Sequence, residues 1–216
     1  FANLFASVAE EMGVTLCRAA YSPNIKERRD CSVGLFDGRG RLIAQGTQIP
    51  LHLGSLDGSV TAVLAAYPVA KMHEGDVFLC NDPYLANGTH LPDISVVTPV
   101  FIDGVVEFLA ANVGHHADVG GAVPGSIAGG LKSVFEEGIR IPAARIVRAG
   151  APDALFAVRS WYVAPPPPPP ATKSGVAANL ALASYNRPLI PRVICLPHGR
   201  RWVSASSARF ARKRSM

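Results

Sequence analysis

The sequence predicts an α+β fold: a mixed, largely antiparallel sheet with packed helices, and a functional site on loops at the strand ends. Three observations lead there. The chain opens with apolar residues at helical spacing, Leu4, Phe5, Val8, Met12, Leu16 and Ala19, with Glu10 and Glu11 on another face. Short β-type runs then recur in pairs, each joined by a tight Asp/Gly turn at residues 37–40 and 102–104. Imidazoles and carboxylates gather in Gly- and Pro-rich segments between those runs, where a rigid scaffold presents chemistry.

Taken in order, residues 3–20 read as a helix that packs on the sheet and ends at Tyr21-Ser22-Pro23. Residues 26–30 alternate in charge, which by itself reads as solvated surface. Asp30, however, immediately precedes an apolar strand, so its carboxylate is a candidate additional ligand or substrate contact aimed from a strand end. Residues 31–36 and 41–45 form an antiparallel pair across Asp37-Gly38-Arg39-Gly40, whose glycines supply positive φ. Residues 49–55 read as a loop, with Ser55 capping a helix over 56–67 and Asp57 in its first turn. His52, in that loop, either lines the site or packs as structure. A strand over 75–80 leads into the segment 81–93, and residues 94–101 and 105–113 form a second hairpin across 102–104. Phe135-Glu136-Glu137-Gly138 reads as a short turn or helix whose glutamates serve either as an acid/base pair or as surface.

The chemistry concentrates in Thr89-His90-Leu91-Pro92-Asp93 and in Gly114-His115-His116-Ala117-Asp118. His90 and Asp93 stand three apart, but Pro92 lies between them, so an extended or turned backbone must aim both side chains. One or two His plus a carboxylate suits Zn, Mn or Fe, and three protein ligands leave positions open. The second segment would supply the third. Spacing alone leaves a second reading open, in which these residues are hydrogen-bonded structure. His116 and Asp118 are candidates to support a ligand, since a ligating imidazole gives its other N–H to an acceptor. Alternation along an extended chain points His116 away from His115. Residues 125–133 nearly spell a phosphate-binding loop, but Leu131 intrudes between glycine and lysine, so no nucleotide motif is assigned.

Composition divides the chain. The overall net charge of +5 and pI near 9.2 describe neither part. Residues 1–158 hold 11 Lys and Arg against all 16 Asp and Glu, whereas residues 159–216 hold 10 Lys and Arg and no acid. Residues 1–158 are therefore expected to form the folded domain. Residues 159–216, with six consecutive prolines from Pro165 to Pro170, are expected to be a disordered basic tail or the product of a shifted reading frame. Phe1 is not an initiator, so residues are expected upstream. No secretory signal or membrane span is read, and neither nucleic acid nor membrane is an expected partner. Cys17, Cys31, Cys80 and Cys195 form no CxxC pair, which points to cytoplasmic thiols.

Many words of the chain, in one order, carry a resemblance: Asn24-Ile25-Lys26-Glu27-Arg28-Arg29-Asp30, Ile49-Pro50-Leu51-His52-Leu53-Gly54-Ser55, the two segments above, Pro124-Gly125-Ser126, and Phe135-Glu136-Glu137-Gly138-Ile139-Arg140-Ile141-Pro142. Over about residues 1–150 the chain resembles the hydantoinase B/5-oxoprolinase family, which includes subunits of ketone carboxylases. The resemblance implies a divalent metal (Mn, Zn or Fe) held by His90, Asp93 and His115. The open end of the second hairpin brings those segments to roughly 5 Å, in keeping with that set. It further implies a B-type subunit of a hetero-oligomer that opens a cyclic amide (hydantoin, 5-oxoproline or a related lactam), with ATP used by a hydantoinase A-type partner. A ketone carboxylase subunit and a truncated, non-catalytic module are the alternatives. The family commonly carries a second His where this chain has Gln48, which argues against further ligands from that loop.

Overall fold

The computed structural model describes residues 1–153; the expected domain boundary at 158 and the expected irregular tail over 159–216 lie outside the described residues. Two hairpins form the centre of the architecture. β1 (Cys31–Asp37) pairs with β2 (Leu42–Gln45), and β4 (Asp93–Ile102) pairs with β5 (Val105–His115). The turns have the sequence-predicted chemistry: Gly40 and Gly104 take positive φ, and Asp37 accepts from the Arg39 and Arg41 N–H groups. β1 then lies against β5, while β3 (Val77–Cys80) lies against β4. β6 (Ala144–Arg148) and β7 (Ala151–Pro152) complete a seven-stranded sheet of order β2-β1-β5-β4-β3-β6-β7, antiparallel at every pairing.

Helices cover both faces. On one, α1 (Ala2–Ala19) lays Val8, Ala9, Met12 and Leu16 on Cys31, Val33, Leu35 and Ala110. On the other, α3 (Leu51–Ala66) lays Leu56, Val60 and Val63 on Phe36, Phe78, Val97, Leu109 and Ala111. Because side chains alternate along each strand, Ser32, Asp93 and His115 fall on the α3 face, in step with Phe36, Val97, Leu109 and Ala111.

Two expectations need correction. The segment 49–55 is not a loop ended by a Ser55 cap. α3 begins at Leu51 behind Pro50, and Ser55 lies inside it, its hydroxyl donating to the His52 carbonyl at 2.9 Å. Proline's fixed φ suits a helix start, and Gly54, Ser55, Gly58 and Ser59 blunt the apolar periodicity that would have announced the first turns. Their small size has a structural reason at Gly58: a Cβ there would lie 2.3 Å from the Ala86 carbonyl oxygen. A short helix that was not expected, α2 (Pro23–Lys26), with Pro at its first position, leads into the charge run and shares only Lys26 with it.

Residues 81–92, between β3 and β4, are held closed by two buried side chains. Asn81 donates to the Leu91 and Ile139 carbonyls at 2.7 and 2.9 Å and accepts from the Ile141 N–H at 2.6 Å. Asp82 accepts from the Tyr84 and Leu85 N–H groups and takes Arg140 Nε at 2.7 Å. Burial works against the Asp82 charge, but Arg140 and the two N–H groups hold its carboxyl below the usual carboxylate range.

Two outcomes are expected. Gly58→Ala forces α3 and residues 86–87 apart and lowers stability by about 1–3 kcal/mol in urea titration. Asp82→Asn loses about 1–3 kcal/mol at pH 7, since a buried charge-assisted bond is broken. Because Asp82 is depressed in the folded state, its contribution is complete above a pH of about 4 and drains away as the pH falls through the lowered folded value. The gap between Asp82→Asn and the unaltered chain therefore closes in acid.

Candidate metal centre

β4 starts at Asp93 and β5 ends at His115, and these two residues are register partners across the open end of the hairpin. Partners of an antiparallel pair project to the same face, so Oδ1 of Asp93 meets Nδ1 of His115 at 2.9 Å. His90 comes back toward them through a turn in which the Asp93 N–H donates to the His90 carbonyl. Its Nε2 stands 2.9 Å from the same Asp93 oxygen and 3.1 Å from His115 Nδ1. The two rings meet edge to face, with centroids 4.9 Å apart.

His52 closes the site from α3. Its Nε2 lies 3.6 Å from Asp93 Oδ2 and 3.8 Å from Asp30 Oδ1, while its Nδ1 meets the Ser32 hydroxyl at 3.2 Å. The placement follows from the strands, because Asp30 and Ser32 stand two apart at the start of β1 on the α3 face. The Asp30 carbonyl also accepts the His115 N–H, tying the ends of β1 and β5 together. Asp93 and His52 are 3% and 4% exposed, whereas Asp30 and His90 are 31% and 32% exposed, so the cluster has a closed floor and an open rim.

Electrostatics centre on Asp93. Burial disfavours its charge, yet hydrogen bonds from His115, His52, His90 and Thr89 hold its carboxyl far below the usual carboxylate range. The hydrogen bond to Asp93 in turn raises His90, against the opposing effect of burial. His116 follows the end of β5, its N–H donating to the Pro92 carbonyl; burial, with the His115 ring beside it, pushes its own ring down to about 4.

Of the residues singled out in the sequence, His90, Asp93, His115, His52 and Asp30 are thus brought together. Asp118 turns elsewhere. It accepts from Gly120 and Gly125 N–H and from the Ser126 hydroxyl, and so builds its own Gly-rich loop. Sequence reasoning missed Thr89, which donates to Asp93, and Ser32, which meets His52. The two-residue alternation from Asp30 was the available signal for Ser32. Glu136 caps its own turn, and Glu137 takes the Leu91 N–H at 3.1 Å, so the two glutamates are not a facing pair.

The donor set fits a cation. Among the described residues, His90, Asp93 and His115 are the group of potential ligands whose donor atoms all lie within 4.8 Å. Their triangle has edges of 2.9, 2.9 and 3.1 Å. Three ligands at right angles around an ion with bonds of ~2.1 Å stand ~3.0 Å apart, against ~3.4 Å for tetrahedral angles. The triangle matches one face of an octahedron, and two nitrogens with one oxygen suit a borderline divalent ion.

The family model for hydantoinase B/oxoprolinase matches residues 1–162. 5-Oxoprolinase 1 of Arabidopsis thaliana is 45% identical over 150 residues, 69% of this chain but 12% of that protein. The caprolactamase subunit beta of Pseudomonas jessenii is 36% identical over 140 residues, 65% of this chain and 24% of its own length. The crystal structure of the ATP-dependent caprolactamase from that organism superposes with a TM-score of 0.70 at 25% identity, covering 88% of this chain and 32% of the other. A nucleotide-free acetone carboxylase superposes with a TM-score of 0.73 at 20% identity, covering 89% and 25%, a likeness of fold alone. With a match over three quarters of its length and these relatives beside it, the chain belongs to the hydantoinase B/oxoprolinase family.

Proposed function

We propose that this chain is the metal-holding part of a B-type subunit in an ATP-dependent amidohydrolase that opens a cyclic amide such as 5-oxoproline, a hydantoin or a related lactam. The observation that carries the reading is the donor triangle of His90, Asp93 and His115. A divalent ion there would supply Lewis acidity toward a carbonyl or phosphoryl oxygen and acidity to water.

The chain's own residues have distinct tasks in this reading. Asp93 aligns both imidazoles through one oxygen, leaving its second oxygen for Thr89 and His52. Asp30, at the exposed rim, faces His52 Nε2, and this pair is the candidate to take a proton from an attacking water and return it to the leaving nitrogen. His116, buried and held neutral at pH 7 by its lowered pKa, is assigned to position the end of β5 through its N–H bond to Pro92. Asp118 shapes the loop that follows.

Ring opening of an amide needs an activated carbonyl, and no nucleotide motif is read in this chain. ATP is therefore assigned to an A-type partner subunit, in line with the ATP-dependent caprolactamase and its subunit beta. The chain spans 12% of the length of the 5-oxoprolinase it matches, so turnover is assigned to the complex rather than to this segment. Hydrolysis is preferred to ketone carboxylation because the sequence relatives at 45% and 36% identity are named 5-oxoprolinase 1 and caprolactamase subunit beta, both for cyclic amides.

Two experiments check the proposal. Elemental analysis of the purified chain should find close to one divalent ion, and His90→Ala and Asp93→Ala should retain less than about a tenth of it; equal content in all three would overturn the site. With an A-type partner present, Asp30→Asn should keep the ion but lower ring-opening kcat about 10²-fold or more. A product that gains carbon from bicarbonate with a ketone would replace the hydrolase by a carboxylase.

A further inference from the structure

Away from the metal centre, Cys17 Sγ and Cys31 Sγ stand 3.6 Å apart. Cys31 is fully buried at the start of β1, whereas Cys17, in the last turns of α1, lines a cavity of about 700 Å³. Arg18, Lys26, Arg28 and Arg29 line the same cavity, and the one acid among the lining residues is Glu10. Glu10 accepts the Thr47 N–H at 2.6 Å, and among the described residues none of the four cations enters an ion pair. A half-buried thiol with a second thiol behind it thus opens onto a basic mouth, in a segment of the chain that is acidic overall.

We propose that Cys17 and Cys31 form a redox-active dithiol that a small anionic disulfide, of the oxidised glutathione class, converts to an intramolecular disulfide. The inference does not depend on the metal reading. Cys17 is the attacking group: its contact with Cys31, against the opposing effect of burial and with help from Arg29, lowers it to about 7. The Cys17 thiolate attacks one sulfur of the oxidant, whose S–S bond breaks, and one thiol leaves with the electron pair and takes up a proton. Cys31, whose thiol is held far above the usual range by its contact with Cys17 and by burial, loses that contact with the thiolate once Cys17 is in the mixed disulfide; it then gives up its proton and attacks the Cys17 sulfur, releasing the second thiol, which takes up a proton. Both cysteines are oxidised and the oxidant is reduced to two thiols. Bond formation closes the 3.6 Å separation of the sulfurs to ~2.05 Å. Burial pushes Cys80 up to about 11, so it serves as an internal unreactive thiol. The new bond would join α1 to the residue that follows Asp30 and pairs with Gly114, beside His115.

The test uses the full chain carrying Cys195→Ser, so that one further thiol is removed from competition. After incubation with oxidised glutathione, quenching, alkylation and peptide mapping, Cys17 and Cys31 should be recovered cross-linked and Cys80 alkylated. With Cys31→Ala in the same background, the reaction should stop at a glutathione adduct on Cys17. Each oxidant's rate is normalised to its rate with a small uncharged thiol. On that scale oxidised glutathione should exceed dicationic cystamine by about 10-fold at low salt. Arg28→Ala with Arg29→Ala should narrow the ratio, as should added salt. Recovery of Cys17 and Cys31 as free thiols, absence of the adduct in a folded Cys31→Ala chain, or equal normalised rates for the two oxidants would overturn the proposal.

Discussion

The pairing of Asp93 with His115 at the mouth of the β4–β5 hairpin is the constraint on which the site depends. Both residues belong to a backbone ladder and project to the α3 face, so their side chains meet without any loop having to search for the geometry. The other participants are fixed relative to that pair. His90 is returned to it by the turn ahead of β4, Asp30 is tied to it through the His115 N–H, and His52 descends from α3 onto the free Asp93 oxygen.

A nearly fully buried carboxylate ringed by three imidazoles is costly for a fold to maintain. Isolated in the interior, Asp93 would lose several kcal/mol of hydration, and only partners of opposite polarity repay that. The surrounding sequence supplies them densely, with Thr89 on the exposed side and His52 within the core. Two imidazole nitrogens stand at equal distances from one oxygen, which makes the same three atoms both a hydrogen-bonded group and a donor triangle that could hold a cation. Around this centre the neighbouring glycines have mostly structural tasks: Gly58 admits the 81–92 segment against α3, and Gly121 packs against residues 126 and 136–137.

Local chemistry made much of this legible. The two hairpins announced themselves through β-type runs broken by Asp/Gly turns, and α1 through its apolar stripe, because each signal is carried within a few residues. β6 and β7 were not visible. They are held by contacts distant in sequence, such as the Ala149 N–H on the Asp76 carboxylate and Arg145 beside Asp76. The first turn of α3 was hidden because Gly54 and Ser55 interrupt its apolar periodicity; a Cβ at Gly54 would meet open space, so close packing explains Gly58 further along but not Gly54. In the site, His90, Asp93 and His115 could be named from motif and resemblance. Asp118 was assigned beside a ligand because nearness in sequence was read as nearness in space, whereas its carboxylate is occupied in folding its own loop.

The antiparallel hairpin separates the two ends of its strands in function as well as in distance. A residue added to both β4 and β5 next to the Asp103–Gly104 turn lengthens the ribbon but leaves every pairing nearer the mouth in phase. An unmatched residue, if no bulge absorbs it, inverts the faces and sends a ligand into the α1 layer. The existing bulge between Val100 and Phe101 sits close to the turn, where such an irregularity is harmless to the cluster. Added length at that tip therefore leaves the cluster intact, while the span from Pro92 to Val96 and its partners in β5 must keep its phase for the donor triangle to form.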